Sequence, residues 1–233
     1  IEERIFTAGM PVPALMEKVA GLVVRKILGS LNPNINQIGV LVGPGHNGGD
    51  ALVIARELHF QGIEIRVYCP VAKLKELTNS HAKYIKHLGI NFVENISLLK
   101  NCALLIDGLF GFGLEREISG DLAEVISQVN SWQKQVFSID LPSGIHTDTG
   151  EVLGTAICAT HTFCLGLWKQ AFLQDQALKY IGTSELIDFD IPLADIKEIL
   201  GEVPTTERIT KTSAMKNLPL PRPPAAYKYK NGN

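Results

Sequence analysis

An α/β domain, with a parallel sheet covered by helices on both faces, is the fold class this sequence predicts, and three observations predict it. Short apolar runs alternate with segments of helical periodicity over residues 38–140, the order that right-handed βαβ crossovers require. Two of the runs, Cys102-Ala103-Leu104-Leu105-Ile106 and Val136-Phe137-Ser138-Ile139, are nearly unbroken by polar residues, as strands buried on both faces are. A glycine-rich turn, Gly43-Pro44-Gly45-His46-Asn47-Gly48-Gly49-Asp50, joins the first run to the first helical pattern after it.

Each element follows in turn. Pro13 to Leu28 place Leu15, Val19, Leu22, Val23 and Ile27 on one helical face, and Gly29-Ser30 with Asn32-Pro33-Asn34 end that helix. Ile38 to Val42 form a strand, the glycine turn follows, and a helix runs over about 50–61 to Gly62. Ile63 to Tyr68 read as a strand stopped by Cys69-Pro70, Lys73 to Leu88 as a helix closed by Gly89, and Ile90 to Val93 as a short strand. The two apolar runs flank a helix over about Leu122 to Trp132; Ala156 to Leu167 and Ser184 to Phe189 are later strands. From Val203 to Asn233 the composition shifts, with five of the chain's twelve prolines. Residues 1–202 therefore read as one domain and 203–233 as a linker or extension.

Composition bounds the function. In 233 residues, 45% are hydrophobic and 20% charged, enough for a sizeable core. A formal net charge of −2 offers no basic excess for nucleic acid. No apolar stretch reaches the ~18 residues that span a bilayer, and no basic-then-apolar leader opens the chain. Cys69, Cys102, Cys158 and Cys164 are scattered and lie in or beside apolar runs, which predicts reduced, mostly buried thiols in a cytoplasmic setting.

The chemistry concentrates at three strand ends. The first glycine turn carries four glycines in seven positions, letting backbone N–H groups and a helix N-terminus approach an anion. It fits G-x-G-x-x-G, but Tyr68-Cys69-Pro70 stands where a dinucleotide dehydrogenase needs an acid, which disfavours hydride transfer. Asp107 and Asp140 each follow an apolar run, so both stand where open α/β sheets bind ligands. Singly, each aspartate reads equally well as a cap or turn former. With Asp50, three such junctions favour one convergent site. A second glycine-rich loop, Gly108 to Arg116, follows Asp107, and Leu141-Pro142-Ser143-Gly144 follows Asp140. Asn47, Asp107 and Ser143 supply oxygen ligands with one formal charge, suiting a monovalent cation such as potassium better than zinc or magnesium. His46 reads as a ligand contact or an ordinary loop histidine, and Lys169 as a solvated lysine more often than a site residue.

Together, G-P-G-H-N-G-G-D-A-L-V-I-A-R, D-G-L-F-G-F-G-L-E-R-E, S-I-D-L-P-S-G-I with D-T-G, and the opening P-x-x-x-L-M-E-K-V-A resemble the NAD(P)H-hydrate epimerases, the YjeF N-terminal domain family. The resemblance covers about residues 10–192. It implies a Rossmann-like three-layer αβα sandwich with a mostly parallel central sheet, commonly dimeric. It also implies a substrate, hydrated NADH or NADPH (NADHX or NADPHX), whose R and S forms are interconverted at C6. Position by position, it sets His46, Asn47, Gly48, Gly49, Asp50, Gly111, Phe112, Gly113, Leu114, Glu115, Arg116 and Glu117 against that substrate. Asp140 falls at the reacting ring, and one potassium ion per subunit falls on Asn47, Asp107 and Ser143. The family usually has Asn at position 46, Gly at 51 and Thr at 112, where this chain has His46, Ala51 and Phe112. The tail resembles the entry into an ADP- or ATP-dependent dehydratase domain fused behind the epimerase in many bacterial proteins. The competing reading is a catalytically silent dimerising scaffold on the same fold, which would be expected to lose Asn47, Asp50 and Asp140.

Overall fold

Seven parallel strands in the order β3-β2-β1-β4-β5-β6-β7 form the centre of the molecule in a computed structural model that describes residues 1–201, Ile209 and 214–216. The strands are β1 (Gln37–Val42), β2 (Glu64–Tyr68), β3 (Asn91–Val93), β4 (Leu104–Gly108), β5 (Gln135–Ile139), β6 (His161–Leu165) and β7 (Thr183–Ile187). The helices are α1 (Glu2–Thr7), α2 (Val12–Ser30), α3 (His46–Phe60), α4 (Glu76–His87), α5 (Asp121–Ser131), α6 (Asp175–Ile181) and α7 (Leu193–Leu200). The compact body runs from Glu2 to Ile191, and α7 belongs to the segment after it. Apart from Ile209 and 214–216, the Pro-rich 203–233 lies outside the described residues. No described helix is long and apolar enough to cross a membrane.

Side chains alternate across the sheet, so each strand feeds two cores. Ile38, Val40, Val42, Leu104 and Ile106 pack beneath α2 and α3, while Leu41 and Leu105 face α5 with Val125, Ile126 and Val129. That is the three-layer arrangement. The predicted stripe of α2 is buried at Leu15, Val19, Val23 and Ile27, and Leu22 packs at its margin. Each fully buried side chain of this size contributes about 1.5–3 kcal/mol relative to exposure.

Three differences from expectation have physical causes. The first helix after β1 begins at His46 rather than near residue 50, because Gly48 and Gly49 form part of its first turn. A Cβ on Gly48 would stand 2.1 Å from Gly43 O, so the glycines are needed for close packing and not for an open loop. β4 runs on through Asp107, which pairs with Leu41 on one side and Ser138 on the other. The strand expected from Ala156 shrinks to His161–Leu165. Ahead of it, Asn130 accepts from Cys158 N and donates to Ala156 O, which leaves Cys158 exposed rather than buried. Cys102 and Cys164 are buried and Cys69 is half-buried, all as free thiols.

Candidate active site

The sheet order reverses between β1 and β4, and the carboxyl ends of β1, β4 and β5 meet there. This is the switch point where doubly wound sheets open a crevice. A cavity of about 860 Å3 lies over it, of ordinary ligand-site size. Its walls include the N-terminus of α3, the 109–116 loop and Asp140.

The glycine turn is held shut against the second loop. Gly43 N donates to Gly108 O at 3.1 Å, and a Cβ on Gly43 would sit 1.6 Å from Leu109 O. From the other side, Thr78 Oγ1 donates to Gly45 O at 2.8 Å and Lys75 N to Pro44 O at 2.9 Å. The first turn of α3 is thereby fixed at the cavity with its amides and dipole available to an anion. His46 and Lys75 line the same wall. Burial, then the nearby Lys75 charge, lowers the His46 pKa below its ordinary value. Ala51 is accommodated because residue 108 lacks a side chain: a Cβ there would stand 2.3 Å from the Ala51 methyl.

Beneath the cavity floor, Asp107 is fully buried. Its Oδ1 accepts from Ser143 Oγ (2.6 Å) and Leu109 N (3.2 Å), and its Oδ2 from Ser138 Oγ (2.8 Å) and Ser143 N (2.9 Å). Burial raises the Asp107 pKa, opposed by these donors. Ser143 Oγ also accepts from Phe110 N at 2.8 Å and lies 3.1 Å from Phe110 O. Asn47 stands nearer the cavity. Its Nδ2 is buried without a partner among the described residues, and its Oδ1 lies 3.0 Å from where a Gly111 Cβ would be.

Asp140 is the most constrained residue of the group. It follows β5 with φ of 69°, and Leu141 N donates to Ile139 O at 2.9 Å across it, a strained γ-turn. Its side chain is 4% exposed. Oδ2 accepts from Phe112 N at 2.9 Å and is 3.0 Å from the Gly111 Cβ position. Oδ1 accepts from Leu165 N at 3.4 Å and from the Lys169 ammonium. Asp50 joins from α3; burial, then the Asp140 and Glu2 charges, pushes its carboxyl well above the ordinary range.

Asp107 and Ser143 thus touch directly, Asn47 and Asp140 flank Gly111, and the 109–112 backbone links the two pairs. Gly111 to Arg116 line the cavity, Gly48 and Gly49 lie buried in the first turn of α3, and Glu117 is exposed outside the lining. Sequence reasoning passed over Glu2, on a helix too short to register, and Thr78, one threonine of an amphipathic helix. It weighted Lys169 toward solvent, and the structure half-buries it against Asp140.

Known proteins resemble this chain in sequence and in fold. The family model described as YjeF-related protein N-terminus matches residues 12–171. The bifunctional NAD(P)H-hydrate repair enzyme Nnr of Synechocystis sp. is 49% identical over the whole chain, which spans 45% of that relative. The NAD(P)H-hydrate epimerase of Limosilactobacillus fermentum is 38% identical over 75% of this chain and 84% of its own. The crystal structure of yeast ynu0, YNL200c, superposes with a TM-score of 0.72 at 20% identity, covering 87% of this chain and 89% of that one, a likeness of fold. The chain spans about half the length of the bifunctional relatives it matches.

Proposed function

Since the chain belongs to the family of YjeF-related protein N-termini, we propose that it interconverts the R and S forms of hydrated NADH or NADPH, and that the cavity over the sheet switch point is where it does so. The observation that carries the reading is Asp140: a buried carboxylate on a strained turn, facing a cavity walled by a helix N-terminus and a glycine loop. The α3 N-terminus and the 111–116 loop amides bind the anionic pyrophosphate. Asp140 moves the proton that inversion at the hydroxyl-bearing C6 requires. The substrate contacts at His46 to Asp50 and at Gly111 to Glu117 belong to the same proposal.

A potassium ion on Asn47, Asp107 and Ser143 is the finer part of the proposal. The donor set suits it, being all oxygen with one formal charge. Asp107 already accepts four hydrogen bonds, one for each lone-pair direction. The Ser143 hydroxyl, however, has Phe110 O as a second acceptor, and turning its proton there frees one lone pair of Asp107 Oδ1, the other staying with Leu109 N. The bound ion would add positive charge beside the substrate phosphates. Replacing potassium with lithium should weaken substrate binding; indifference to the cation removes this part.

The same reading takes the chain as a homodimer. It takes 203–233 as the passage to a dehydratase domain, in line with bifunctional relatives that align over the whole chain. The deciding experiment is incubation of Asp140→Asn protein with mixed NADHX epimers, their ratio followed by chromatography. Loss of exchange with retained folding is expected. Native exchange would overturn the assignment.

A further inference from the structure

The geometry points to Lys169 as the positioning residue of the epimerisation: its ammonium holds Asp140 Oδ1 so that Oδ2 is presented at the Gly111 side of the cavity. The inference rests on the reading of Asp140 as the acid/base group and adds a residue to it. Lys169 stands just ahead of the turn Gln170–Leu173 and reaches back to the ends of two strands. Its Nζ donates to Asp140 Oδ1, after β5, and to Leu165 O at the end of β6, 2.6 Å away. Leu165 N donates to the same Oδ1. One carboxylate oxygen is thus gripped by two donors from the β6 side. The other accepts only the Phe112 amide among the described residues and, like Asn47 Oδ1, lies 3.0 Å from where a Gly111 Cβ would be. A carboxylate fixed at one oxygen cannot rotate, so its second oxygen keeps one direction.

The charges around it explain why a cation is needed. Asp140 faces the carboxyls of Asp50 on α3 and Glu2 on α1 and the Cys164 thiol on β6. Among the described residues Lys169, its side chain 13% exposed, is the cation in contact with it. Burial works to lower the Lys169 pKa, but Asp140 and the other acidic groups outweigh it, so Lys169 stays an ammonium. A buried ion pair seldom adds stability over an apolar pair of the same volume, and here it coincides with a strained backbone. Both features are concentrated where directional chemistry is required.

The test uses the full chain as Lys169→Met and Lys169→Arg, with folding checked by circular dichroism and epimer exchange measured against substrate concentration. For a carboxylate released to rotate, kcat of the Met variant should fall on the order of 100-fold, with KM within about threefold of native. The Arg variant should recover at least a tenth of native kcat, because it keeps the charge and the donors. A Met variant with kcat within about threefold of native, or with its whole loss in KM, overturns the proposal. Should the Met variant fail to fold, Lys169→Gln takes its place, since it also removes the charge: lowered kcat at native KM supports positioning, and kcat within about threefold of native overturns it. An active Asp140→Asn variant would remove the underlying reading. An inactive Asp140→Asn beside a fully active Lys169→Met removes Lys169 alone.

Discussion

Gly111 separates the site from the fold better than any other position. A methyl added there would meet Asn47 Oδ1 and Asp140 Oδ2 at 3.0 Å each, with Asn47 Cγ at 3.1 Å. Those contacts are a few tenths of an ångström too short, and the atoms concerned are side-chain ends that can give. The Gly111 backbone is not in the left-handed region, so alanine is conformationally permitted. Alanine also restricts the unfolded chain, a gain of about 0.4–1 kcal/mol that offsets the crowding. Net stability should therefore change by less than about 1 kcal/mol, or a Tm shift below ~4 °C for a domain of this size. Activity is another matter, since both displaced groups belong to the proposed chemistry. Displacing catalytic groups by a fraction of an ångström should cost about 10- to 100-fold in kcat. Thermal melting and chromatographic epimer exchange on Gly111→Ala check the two halves. Native exchange would refute the claim that Asn47 and Asp140 act across Gly111. A Tm loss beyond ~10 °C would instead show them to be structural pins.

Other outcomes follow from the same contacts. Gly48→Ala drives a Cβ to 2.1 Å from a backbone oxygen that has no freedom to move, so urea unfolding should show a loss above about 3 kcal/mol. Asp50 has a carboxyl raised by burial, then by Asp140 and Glu2, so its contribution is fully present below the unfolded value and lost as pH rises through the folded one. Asp50→Asn should accordingly melt higher than native near neutral pH and alike at about pH 4, close to the ordinary aspartate value; equal Tm at both would contradict this. With a thiol reagent, exposed Cys158 should react first. Buried Cys102 and Cys164, the latter with its thiol pushed up to about 11 by burial, should wait for unfolding. Rapid labelling of three or four thiols would oppose that.

The parts of this protein readable from sequence are those with local causes. The apolar runs of β1, β4 and β5, the stripe on α2, and the glycines between β1 and α3 each impose their geometry on a few neighbouring residues. Asp107 and Asp140 were marked by their positions after apolar runs, and a parallel sheet puts such ends on one rim. The motif set likewise carried the family, and the comparisons agree with it.

What needed the folded chain was anything set by strand order and register. Only the pairing of Asp107 with Ser138 and the neighbouring turn of Ser143 show that four donors satisfy this buried carboxylate. Exposed Cys158 followed from a side-chain clamp by Asn130, a contact between residues 28 apart that periodicity does not register. Lys169 and Glu2 lie far apart in the sequence and come near Asp140 only because β6 lies beside β5 and α1 lines the same cavity. Local sequence decides which residues stand at a strand end, since side-chain direction repeats every two residues. Which charges then meet there depends on how the ends are brought together, and that is settled by long-range packing.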